Sequence, residues 1–198
     1  MSSVFPDALR ALKLRLGLPL ALVIVMWVVE VANIVSHDAF QGFGIRPRTL
    51  DGLWGLLFSP FIHANFAHLL ANTLPFLVLG WMVALRGVQE YIFSTAWIMV
   101  VGGGAVWLLG QPFSNHVGAS GVVFGYLGFL LARGVFERSL QAIGLSLLAL
   151  FLYGGIIWGV LPTTRGVSWE GHLFGLLAGF IAGRLLGRSG ARRLHPGG

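Results

Sequence analysis

A serine hydroxyl becomes a nucleophile only when a base takes its proton, and histidine is the usual base. The chain offers such a pair in two glycine-rich stretches, Ser120 in NHVGASGVVFG (115–125) and His172 in GHLFGLLAG (171–179). Neutral His172 would accept the Ser120 proton during attack and return it to a leaving amine. Acyl transfer also needs donors for the oxyanion. At the start of a helix, Ser120 brings backbone N–H groups without intrahelical partners, where the helix dipole favours negative charge. Asn72 adds a side-chain N–H, and His68, four residues earlier on the same helix face, adds another. His63 lies near the start of that helix, where it would brace the preceding loop.

A third residue normally orients the histidine, but the chain has only seven carboxylates. Glu170 is the one close in sequence to His172, and a spacing of two on a helix points the pair to different faces. The expectation is a Ser–His dyad held by packing, with Phe124, one turn after Ser120, stacking on the imidazole. Each polar residue also has a plainer reading. Small residues such as Ser120 line close helix contacts in bilayers, and buried Asn or His can simply join helices by hydrogen bonds. Several histidines on one side of a membrane could bind metal or haem, but no His-x-x-x-His, Glu-x-x-His or Cys pattern is present, so no metal or cofactor is expected. His116 falls in the connection before the serine and has no assigned partner. The seven tryptophans read mainly as interface anchors and packing.

These residues must be held by membrane helices. The chain is 56% hydrophobic and 10% charged over 198 residues, far from the quarter charged typical of soluble domains. The absence of cysteine excludes disulfides and thiolate chemistry. The net charge of +6 reads as anchoring and orientation, not nucleic-acid binding, because the basic residues cluster at the ends of apolar segments. Six apolar segments approach bilayer length: residues 17–35, 65–85, 91–109, 119–132, 140–161 and 171–186. Residues 1–16 read as a short interfacial segment without a cleavable signal, 17–187 as the six-span domain, and 188–198 as a basic tail. The predicted fold is an all-α integral membrane protein, a compact six-transmembrane-helix bundle with both termini cytoplasmic. That orientation puts ten basic residues inside against Arg46, Arg48 and Arg165 outside. The outer loop 36–64 carries the apolar run LWGLLF and lies on or dips into the outer leaflet. Spans two, four and six then run inward, so His68, Asn72, Ser120 and His172 share one depth near the outer face.

Two glycine stripes explain how the serine and histidine helices could meet. Gly171, Gly175, Gly179, Gly183 and Gly187 recur at every fourth residue, and Gly118, Gly121, Gly125 and Gly128 follow one side of span four. Such stripes cost about 1 kcal/mol of helix propensity per glycine in water, and a closely approaching partner backbone is the compensation.

The ordered set HANFAHLLAN (63–72), GASG (118–121) and GHLFGLLAG (171–179), on spans two, four and six, resembles the rhomboid family of intramembrane serine proteases. The resemblance covers most of the chain. It implies Ser120 as nucleophile, His172 as general base, Asn72 and His68 as oxyanion donors with the Ser120 backbone N–H, and His63 as a supporting residue near the mouth of the site, with Gly118 and Phe124 also supporting. It also implies that span five and the loop 162–169 gate access. Phe124 stands where the family often has tyrosine, which keeps the ring and loses the hydroxyl. The family's Trp-Arg pair in the first outer loop is absent, replaced by IRPR (45–48) and LWG (53–55). The function implied is cleavage of peptide bonds in or beside transmembrane segments of substrate proteins, near the outer face of a prokaryotic plasma membrane. The rivals are a catalytically silent membrane-protein binder and a small transporter. A transporter should carry polar groups through the midplane, whereas here the inner halves of spans two, four and six are apolar.

Overall fold

The computed structural model describes residues 4–163 and 166–194. Arg165 and the end of the basic tail, His195–Gly198, lie outside the described residues. Among the described residues six helices are longer than four turns. They are α1 (Val4–Val35), α2 (Phe66–Arg86), α3 (Val88–Leu109), α4 (Ser120–Glu137), α5 (Leu140–Val160, with its last turns from Gly154 wound as 3₁₀) and α6 (Trp169–Leu194). Among the described residues no β-strand forms; the one extended pairing is an isolated antiparallel bridge between Ile45 and His116. Residues 4–16, read as a separate interfacial segment, run into the first span as one unbroken helix.

Among the described residues five helices, α1 to α5, are long and apolar enough to cross a membrane. The sixth expected span, α6, is not in that set, because glycines dilute its apolar content and its second half carries Arg184, Arg188, Arg192 and Arg193. It is nevertheless built into the centre, packed along α4. Helix ends follow local chemistry. Asn65 accepts the His68 N–H at 2.9 Å to cap α2, and Ser139 accepts the Ala142 N–H at 3.1 Å to cap α5. Between α2 and α3 the chain reverses at Gly87, whose φ of 150° suits glycine.

Helix α4 is the hub. Tyr126, Leu127, Phe129 and Leu130 are fully buried on it, with Phe76 and Leu79 of α2 and Met26 of α1 completing the core. A Trp27–Thr73 hydrogen bond of 3.1 Å joins α1 to α2. The α4–α6 contact is backbone on backbone. A Cβ added to Gly175 would overlap the carbonyl oxygen of Gly121, and one on Gly179 that of Gly125. The stripes thus face each other, with one amendment: Gly125 also seats Ile98 of α3, from the π-wound turn Ile98–Gly102.

At the end of α4 far from Ser120, two arginines and two glutamates make a partly buried quartet. Arg86 pairs with Glu90 at 3.2 Å and with Glu137; Arg133 pairs with Glu90 at 3.1 Å and Glu137 at 2.6 Å. Ser139 donates to Glu137 at 2.7 Å. Charges that sequence reading counted towards orientation here neutralise one another and lock α2, α3 and α4 together.

Candidate active site

Ser120 is the first residue of α4, and His172 lies in the first turn of α6. Because the two helices touch through glycine, their side chains meet: Ser120 Oγ is 2.9 Å from His172 Nε2. His172 Nδ1 is 2.9 Å from the carbonyl oxygen of Gly159. A carbonyl can only accept, so Nδ1 carries the hydrogen and Nε2 presents its lone pair to the serine hydroxyl. That is the tautomer a general base requires. Phe124 lies flat on the imidazole, with ring centroids 4.1 Å apart and planes at 7°. Glu170 is buried but turned away, accepting the Gln111 N–H at 3.4 Å.

Further polar groups line the same cavity. Among the described residues the N–H groups of Ser120 and Gly121 have no protein acceptor, as expected for the first positions of a helix. Asn72 is buried and donates one amide hydrogen to the His68 carbonyl at 3.0 Å, which orients the amide and leaves its second hydrogen uncommitted. His68 lies across the site beside Gly118. A Cβ at Gly118 would stand 2.9 Å from His68 Nε2, and the φ of 111° there is one that glycine tolerates. Gly118 therefore makes room for the His68 ring, while Gly121 and Gly125 serve the contact with α6.

His63 precedes α2 and is fully buried. Its Nε2 accepts the backbone N–H of Ala119 at 3.3 Å, so its hydrogen is on Nδ1. Burial, with His68 beside it, pushes its pKa down to about 4, which keeps this acceptor neutral. The His63 carbonyl accepts from Gln41 at 2.7 Å, tying in the loop between α1 and α2. A spacing of five would separate His63 and His68 on one helix; because His63 lies before the helix, their rings meet edge to face at 5.2 Å.

His116 is the residue that sequence reading left without a partner, and the structure corrects this. It is buried, its ring contacts Ser114 at 2.7 Å and Ser168 at 2.6 Å, and its backbone pairs both ways with Ile45 at 2.9 Å. No local pattern signals these contacts, since Ser168 is 52 residues away. Among the described residues no three His, Cys, Asp or Glu side chains converge as metal ligands.

An open cavity of ≈ 970 Å³ reaches the pair, lined by His68, Asn72, Ser120, Phe124, Ile156 and His172. Chemically, the arrangement holds a hydroxyl against a correctly tautomerised base, with several N–H donors beside it and room for a substrate backbone.

The Rhomboid domain family matches residues 50–189, which contain every one of these groups. The chain is 43% identical over 195 residues to an uncharacterized protein of Mycobacterium tuberculosis, covering 89% of this chain and 81% of that one. It is 28% identical over 158 residues to the Bacillus subtilis rhomboid protease GluP, covering 77% of this chain and 30% of GluP. To the Arabidopsis thaliana RHOMBOID-like protein 5 it is 32% identical over 144 residues, 67% of this chain and 44% of that protein. With these helices, this glycine contact and this family match over most of its length, the chain belongs to the rhomboid family.

Proposed function

We propose that the protein is a six-span intramembrane serine endopeptidase that cuts transmembrane protein substrates in or beside their membrane segments, without metal or cofactor. The observation that carries this reading is the Ser120 Oγ–His172 Nε2 contact of 2.9 Å, with the imidazole turned the right way by the Gly159 carbonyl. His172 takes the hydroxyl proton as Ser120 Oγ bonds to the scissile carbonyl carbon, and the carbonyl electron pair moves to oxygen. The N–H groups of Ser120 and Gly121, with the Asn72 amide and His68, receive that oxyanion. On collapse the C–N bond breaks and His172 protonates the leaving amine. Water entering from the cavity then attacks the acyl-enzyme, its proton passing through His172 back to Ser120. Both termini face the cytoplasm and the cavity opens outward; the excess of basic residues on the inner connections supports this. The membrane is a prokaryotic plasma membrane, a reading supported by the bacterial relatives.

The test compares wild type, Ser120→Ala and His172→Ala, purified in detergent, with a single-span model substrate and a serine-directed fluorophosphonate. Wild type should cut and label, and both variants should do neither. Cleavage by Ser120→Ala, or a wild type that neither cuts nor labels, would refute the assignment. Asn72→Ala should slow cleavage by up to the cost of one oxyanion donor, about 2.7–4 kcal/mol, while retaining part of the labelling.

A further inference from the structure

The α4–α6 contact is close backbone packing at glycines along its length. The two reactive atoms sit at one end of it. What holds that end is a hydrogen-bond chain centred on His116. The directions in this chain follow from proton counting. Ser114 Oγ lies 2.6 Å from the Gln111 carbonyl and must spend its only hydrogen there, so at the 2.7 Å contact it accepts from His116 Nε2–H. His116 Nδ1 is then the acceptor and takes the hydrogen of Ser168 Oγ at 2.6 Å. Ser168 Oγ in turn accepts the Gly171 N–H at 3.2 Å, at the start of α6 and one residue before His172.

One neutral imidazole therefore satisfies every hydroxyl in the chain and ties the loop before Ser120 to the first turn of the His172 helix. A second, longer tie runs beside it from Gln111 N–H to Glu170. The backbone of His116 is pinned to the loop between α1 and α2 at Ile45, and the next residues are also held, Gly118 N–H by the Ser59 carbonyl at 2.8 Å and Ala119 N–H by His63. The anchors at Ile45, Ser59 and His63 thus all come from the loop before α2, and the His116 side chain adds a link to the start of α6 beside the longer Gln111–Glu170 tie.

We propose that His116 is a positioning residue that sets the Ser120–His172 distance by clamping the 111–118 loop onto the N-terminus of α6. The inference deepens the peptidase reading and rests on it for its kinetic consequence. A displacement of about 1 Å at a reacting pair costs on the order of 100-fold in rate, so His116→Ala should lower kcat between ten- and 100-fold while KM changes less than twofold. His116→Gln, which restores one donor and one acceptor, should recover much of the loss, whereas a substitution that merely loosened the fold would not be rescued in this way.

Amide hydrogen exchange supplies a readout that needs no turnover. In His116→Ala, peptides covering 114–121 and 168–173 should exchange at least tenfold faster, with 66–86 unchanged. Unchanged exchange in either peptide, wild-type kcat in His116→Ala, or no recovery in His116→Gln would overturn the clamp. If wild type itself neither cleaves nor labels Ser120, the peptidase reading fails, and the exchange data still decide whether His116 joins the two segments.

Discussion

Replacing Gly175 by alanine puts one methyl group into the seam that brings base to nucleophile. A Cβ there interpenetrates the Gly121 carbonyl oxygen and stands 2.9 Å from its carbon, and neither atom belongs to a flexible side chain that could swing away. The helices must therefore part by roughly 1 Å, given ordinary carbon contacts of about 3.5–4 Å. A gap of that size forfeits a quarter to a half of the attraction along the contact, and overpacking of this kind costs about 1–3 kcal/mol. Alanine returns about 1 kcal/mol of helix propensity, leaving a net loss of up to about 2 kcal/mol. Activity should suffer more than stability. Gly121 follows Ser120 directly and Gly175 lies one turn after His172, so the 2.9 Å contact lengthens to about 4 Å, beyond a hydrogen bond. The cleavage rate should fall on the order of 100-fold. Gly144→Ala in α5 is the control, because a Cβ there meets nothing within 4 Å; it should gain up to about 1 kcal/mol and keep its activity. Thermal unfolding followed by tryptophan fluorescence, with initial rates on a single-span reporter, measures both. A Gly175→Ala variant as stable as Gly144→Ala, or within threefold of the wild-type rate, would refute the reasoning.

Gly159→Ala should cut the fluorophosphonate labelling rate at least tenfold, because its Cβ would stand 3.0 Å from the Phe124 ring and 3.2 Å from His172 Nδ1, pushing the imidazole off the carbonyl that sets its tautomer. Phe124→Leu, which removes the stacked ring, should cost about 0.5–1.5 kcal/mol of transition-state stabilisation, read as a drop in kcat. Glu137→Ala leaves Arg86 and Arg133 short of a buried counter-charge and should destabilise the fold by about 3–5 kcal/mol in thermal or denaturant unfolding. Stability should also fall on acidification. His63 binds its proton near 6.5 in the unfolded chain and near about 4 in the fold, so between those values the unfolded state holds the extra proton. The contribution is complete above pH 6.5 and is lost by about pH 4, up to about 3 kcal/mol. His63→Gln, which keeps an acceptor for Ala119 but does not titrate, should show a flatter dependence of Tm on pH over that window.

Much of the architecture is visible in one dimension because bilayer-length apolar runs and glycine periodicity are local patterns. A bilayer-length run of continuously apolar residues, unlike the alternating pattern of a barrel strand, satisfies its backbone in a membrane as helix. Glycine at every fourth residue names the side on which another backbone can approach. The positions of α2 to α5 follow from the first rule, and the α4–α6 seam follows from the second. The start of α1 did not, because nothing between residues 4 and 35 breaks the helix where polarity changes. Gly118 was read with the seam, although its φ and its neighbour show that it serves the His68 ring.

By itself the sequence determined that the chain is helical and membrane-embedded, that Ser120 begins a helix, and that His172 lies on a helix able to touch it. Residue type and spacing suffice for that much. Only the tertiary structure decided which way the imidazole is turned, since the Gly159 carbonyl that turns it is anonymous backbone 13 residues away. It likewise decided that His63 holds the Ala119 amide, that His116 joins two loops and a helix start, and that Arg86, Glu90, Arg133 and Glu137 neutralise one another. Each of these is a meeting of distant segments, and a hydrogen bond or ion pair between such segments leaves no periodic trace in either one.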